Sequence, residues 1–170
     1  MKNRITLHLT ILIVSLTSCG YRSGFIQGSN LQGIKKIHVP VAENTTFQPA
    51  LGPIVTDAVI QRIMRDGTLS ITNQNNSDAT LKIKITHIER NPQRSTLADE
   101  RRTAEYQVRI LADFTLTRDS DGTEILSAQK VSGQTDYFVG QDLPESERQA
   151  LGLAANKLAE NIVLQIVEGW

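Results

Sequence analysis

Apolar and polar residues alternate along this chain with a period that changes from segment to segment, and each change marks an element. Residues 34–41 (IKKIHVPV) are β-branched-rich and closed by Pro40, which predicts a short strand. A polar loop over 42–48 follows. In residues 51–66 (LGPIVTDAVIQRIMRD) the period is helical, with Leu51, Ile54, Val55, Ala58, Val59 and Ile63 on one face. Pro53 is tolerated in the first turn and Gly67 stands where a C-terminal cap belongs. A further strand is predicted over 68–73, completing a β-α-β opening.

From residue 81 the period is two. Leu81, Ile83 and Ile85 alternate with Lys82, Lys84 and Thr86, the pattern of a strand with one wet face. Tyr106, Val108, Ile110, Ala112, Phe114 and Leu116 repeat it, and turn residues DSDG at 119–122 join them to a strand over 124–138. Residues 144–168 return to the helical period through Leu151, Ala154, Ala155, Leu158, Ile162 and Ile166. At 1.5 Å per residue, 25 residues reach roughly 37 Å, enough to cross a small sheet. The predicted fold is α+β: a two-layer α/β sandwich of order β-α-β-β-β-α, with 68–90 forming one bent strand or two. Both helices pack on one face of a mixed, largely antiparallel sheet.

The amino terminus has a different logic. Lys2 and Arg4 precede a short apolar run, Ile5–Leu16, too short to span a bilayer, which takes roughly 20 residues. This is the form of a signal peptide, residues 1–18. It ends in Leu16-Thr17-Ser18-Cys19, which resembles the bacterial lipobox and makes Cys19 the acylated first residue of the mature chain. Several acyl chains at about 0.8 kcal/mol per buried CH₂ hold a protein at a membrane. Gly20 stands where an inner-membrane retention signal places Asp, which favours the outer membrane. Glycine-rich residues 19–33 then read as lipidated terminus and tether, and 34–170 as a single domain.

Composition narrows the function classes. Without residues 1–18, 16 basic residues face 18 acidic ones, a formal charge of −2, and no nucleic-acid binder is indicated. Cys19 is the only cysteine, so disulfides and cysteine-based metal sites are excluded. No phosphate-cradling loop, G-x-S-x-G elbow or H-E-x-x-H helix occurs, His38 and His87 show no ligand spacing, and Glu43 and Glu89 sit near strand ends where carboxylates are solvated. A non-enzymatic protein without cofactor or metal is expected. One stretch, 89–105 (ERNPQRSTLADERRTAE), reads as a strand connection in which Arg90, Arg94, Arg101 and Arg102, with Arg109 beyond, gather among Glu89, Asp99, Glu100 and Glu105. It is either an ordinary solvated loop or a phosphate-binding one, since arginine's planar fork grips phosphate.

Cys19-Gly20-Tyr21, then residues 34–46 (IKKIHVPVAENTT), then Pro49-Ala50-Leu51 leading into a helix that ends at Arg65-Asp66-Gly67, resemble the LPS-assembly lipoprotein family, LptE. The resemblance is sharpest over 19–71. It implies an outer-membrane lipoprotein that plugs and helps assemble the LptD β-barrel translocon, with lipopolysaccharide as a further ligand and the membrane engaged through the N-terminal lipid. Arg90, Arg94, Arg101 and Arg102 are then the candidate lipid A contacts. The competing reading keeps the anchor but makes the domain a periplasmic scaffold or activator of a cell-wall synthase.

Overall fold

The structure, a computed structural model, describes residues 31, 33–96, 99–138 and 143–168. Strand β1 (Lys36–His38) and strand β2 (Glu43–Asn44) lie end to end along one flank of β4 (Ala79–Thr96), both parallel to it. Pro40, between them, has no N–H to give a ladder, so the strand predicted over 34–41 is confined to Lys36–His38 and pairing resumes only at Glu43. The break leaves a backbone donor to satisfy. Ala42 N donates to the buried hydroxyl of Thr56 at 2.8 Å, and that hydroxyl donates in turn to Gly52 O. β2 thus falls inside the segment expected to be a polar loop.

Helix α1 (Leu51–Asp66) starts and stops where its periodicity predicts, and Gly67 caps it at φ 78° with its N–H on Ile63 O. Its apolar face, Leu51, Val55, Ala58, Val59 and Ile63, is buried. β3 (Ser70–Ile71) pairs parallel with β1 on the sheet's far edge, and a 3₁₀ turn (Gln74–Asn76) carries the chain back across β1 to β4. The region 68–90 is therefore two strands. Asp78 pins this return, its carboxylate accepting from the backbone N–H groups of Lys35 and Lys36 at 2.9 and 2.8 Å.

β4, β5 (Asp99–Arg118) and β6 (Glu124–Phe138) form an antiparallel meander, so the sheet runs β3-β1-β4-β5-β6 with β2 on the β4 flank. Here the structure corrects the expected connection over 89–105. β4 continues to Thr96 and β5 begins at Asp99, so most of that stretch is a long two-stranded arm. Charge density suggested solvated loop; cross-strand pairing supplies the backbone hydrogen bonds that a loop would take from water.

Helix α2 (Leu143–Glu168) lies across β5 and β6 and against α1, burying Ala150, Leu151, Ala154, Ala155, Leu158, Ala159, Ile162, Val163 and Ile166. Contact with β6 is closest at Gly133, where a Cβ would stand 2.1 Å from Leu158 N and 2.3 Å from Ala154 O. Both helices cover one face, and the core between the layers includes Ile37, Leu81, Ile83, Ile85, Ile110, Phe114 and Leu116. The packed core reaches back to Leu31, which is 1% exposed, so the chain is already docked three residues ahead of Ile34. Each such buried side chain contributes about 1.5–3 kcal/mol, against about 0–1 for a surface ion pair, and the core carries the fold.

Candidate functional site

Among the described residues, one face of the sheet is left uncovered by the helices and is available to a partner. Its residues are the polar half of each alternation. Lys84 Nζ pairs with Glu43 at 3.0 Å, Arg109 Nε donates to Gln134 Oε1 at 2.8 Å with Glu89 at 3.9 Å, and Gln107 Nε2 donates to Asp136 Oδ1 at 3.0 Å. These pairs bridge β2 to β4, β4 to β5 and β5 to β6 and hold the polar surface in one arrangement. Glu43 and Glu89 each pair with a separate cation, Lys84 and Arg109.

Two bulges bend this face at one height. Thr86 is the extra residue of β4 between the Ile85–Ala112 and His87–Leu111 pairs, and Gln129 and Lys130 together oppose Asp113. Lys130 takes φ 55°, and its N–H donates to Asp113 Oδ1 at 2.9 Å. Between the bulges lies a hollow of about 440 Å³, floored by Leu111 and rimmed by His87, Glu89, Asp113 and Lys130. Mixed charge and an apolar floor suit a protein side chain better than a phosphate.

The bulge at Thr86 also reverses the alternation of β4 beyond it, which decides where the first candidate arginine goes. Arg90 pairs in register with Val108, a buried position, so it falls on the helix-covered side. There Glu147 of α2 accepts from its Nε at 2.7 Å and from Nη2 at 2.6 Å. Tyr106 and Tyr137 stack beside it, ring centres 5.9 Å apart, and burial raises the Tyr137 phenol above its ordinary value. Arg94 lies in β4 opposite Glu105, and Arg101 and Arg102 lie in β5; their side chains are outside the described residues. Cys19 is outside them as well. Arg109 stands on the open face, apart from Arg90.

Residues Thr45–Gln48 form a loop, as expected within 42–48, but sequence reading gave Phe47 in it no role. Phe47 at its tip is fully exposed (104%), while the backbone around it is tied down on both sides. Its sequence signal is slight: one aromatic between Thr46 and Gln48. The histidines gain no partners suited to a metal: His38 Nδ1 lies 3.4 Å from Thr72 O, and no His, Cys, Asp and Glu cluster able to hold a metal occurs among the described residues. No described helix is long and apolar enough to cross a membrane.

Two helices over one side of a bulged sheet, with the other side open and largely polar among the described residues, define a small α+β domain. The LptE family, described as lipopolysaccharide-assembly, matches residues 34–166, and the chain belongs to that family. Among solved structures, a lipoprotein candidate from Caulobacter crescentus CB15 shares the fold at TM-score 0.54 and 16% identity, covering 77% of this chain and 87% of its own. A minor lipoprotein from Acinetobacter baumannii is similar at TM-score 0.52 and 14% identity, over 80% and 92%. A Xanthomonas campestris protein matches at TM-score 0.54 and 12% identity, over 79% and 85%. Identities this low speak for the fold alone. No curated protein matches.

Proposed function

We propose that this protein is an outer-membrane lipoprotein, anchored through acylated Cys19, that occupies and helps assemble an LptD-like β-barrel for lipopolysaccharide insertion. Family membership over 34–166 is the observation that carries this reading. The open face supports it, because the inner wall of a large barrel is polar and asks its contents for fixed hydrogen-bonding groups. The work is structural: no bond is made or broken, and no cofactor is needed.

The test is co-expression of the full-length chain with the LptD-like barrel of the same genome. A stable complex in the outer-membrane fraction is expected, with radiolabelled palmitate entering the wild type and not Cys19→Ala. Recovery with a cell-wall synthase instead of a barrel would overturn the reading. Within the same function, the β4–β5 arm is proposed to meet lipid A phosphates through Arg94, Arg101 and Arg102, with Arg90 contributing when released from Glu147. Changing all four to Ser should weaken lipopolysaccharide binding at least tenfold; unchanged binding with an intact fold removes the assignment.

A further inference from the structure

β2 ends at Asn44, and no strand flanks β4 on that side beyond Ile85 among the described residues. At this corner the chain builds a rigid loop around one aromatic ring. Thr45 N and Oγ1 both donate to Ile85 O, at 3.1 and 2.9 Å. Asn44 Oδ1 accepts from Thr46 N at 3.0 Å and Thr46 Oγ1 at 2.8 Å, while its Nδ2 donates to Gln48 O at 2.7 Å. Gln48 O also receives Leu51 N at 3.1 Å, which bolts the loop to α1. On this loop the Phe47 ring stands fully in solvent. A cleft of about 390 Å³ separates the loop from Thr86, His87, Ile88 and Arg90 of β4.

We propose that Phe47 is an aromatic anchor that inserts into an apolar pocket of a folded protein partner, and, resting on the function proposed above, that this partner is the barrel. An exposed phenyl ring on a loop already held by hydrogen bonds loses little entropy on docking, which is the property of interface anchors. Position agrees: Glu43, four residues earlier, pairs with Lys84 on the open face, so the loop stands at the margin of the surface assigned to the barrel interior. Lipid is a poor occupant, because residues 43–50 (ENTTFQPA) contain one apolar side chain of any size, one acid and no base, whereas membrane-seating segments combine several apolar groups with Lys and Arg. A second copy seated on this ring alone is a poor one too, because a phenyl ring meeting its own symmetry mate offers no pocket to enter. The free β4 edge next to the ring offers backbone groups that a protein chain can meet.

The experiment uses the full-length lipidated chain co-expressed with the LptD-like barrel of the same genome, the complex being recovered through a tag on the barrel. Phe47→Ala should reduce the retained chain tenfold or more, Phe47→Leu should keep most of it, and Phe47→Asp should abolish it. Melting of the isolated variants should match the wild type, because the ring contributes nothing to the core. Benzoylphenylalanine at position 47 should give a photo-adduct with the barrel. Equal retention of wild type, Phe47→Ala and Phe47→Asp overturns the anchor while leaving the proposed function standing. Failure of the wild type itself to be retained overturns both. A photo-adduct with lipopolysaccharide in place of protein overturns the assignment of the partner.

Discussion

Two residues show how far one backbone position can constrain the molecule. Gly133 was legible only as one more residue of a predicted strand, yet it is where β6 meets the backbone of α2, with Leu158 N and Ala154 O inside the space a Cβ would take. Backbone cannot swing aside as a flexible side chain does, so Gly133→Ala should cost about 3 kcal/mol or more, read by urea denaturation. Equal stability would mean the helix stands further off the sheet. Lys130 is the opposite case. Its φ of 55° serves the bulge at Asp113 but suits glycine better. Lys130→Gly should raise stability by about 0.5–1 kcal/mol after the entropy of the freer unfolded chain is discounted, and Lys130→Val should lower it.

Among elements, the junction of β1, the 3₁₀ turn and β4 is the place where pH should act. The backbone N–H of Lys35, then that of Lys36, holds the Asp78 carboxyl below its ordinary value of 3.8. Because the folded state prefers the ionised form, its stabilisation is complete above pH about 4 and disappears as pH falls through the lower, folded value. Asp78 is largely solvated, so Asp78→Asn should cost only about 1 kcal/mol at pH 7. The gap between wild type and variant should narrow steadily as pH falls from 3.8 toward the lower folded value; a gap that does not change with pH would assign the loss to packing. At the start of α2, Arg148 and Gln149 pull Glu145 down to about 2, and its contribution fades in the same direction on acidification. The elements themselves were mostly readable: α1, β6 and α2 fall where periodicity puts them. β2 was not, because its two residues pair across 40 positions of sequence and carry no local pattern. The β4–β5 arm was not, because its charged residues look like loop until a partner strand supplies the register.

At the scale of the whole molecule, one face of the sheet is committed to two helices and, among the described residues, the other is open. The polar pairs across that face are surface pairs worth little to stability, at most about 1 kcal/mol each. A charge-reversing change such as Arg109→Glu should therefore leave the melting temperature within a few degrees of the wild type while weakening recovery of the proposed barrel complex severalfold, measured by co-purification. Loss of folding in that variant would show that the pairs support the sheet and not its interface.

What the sequence determined by itself is the layer structure: which faces are buried, where both helices run, and that the sheet has a wet side. Those follow from local periodicity and local chemistry, which neighbouring residues encode directly. Only tertiary structure decided that the bulge at Thr86 turns Arg90 toward Glu147, that Gly133 is a contact and not a gap, and that Phe47 is held out in solvent. Each of these depends on residues far apart in the chain meeting in register, and a shift of one position in a strand changes the face to which every later side chain belongs.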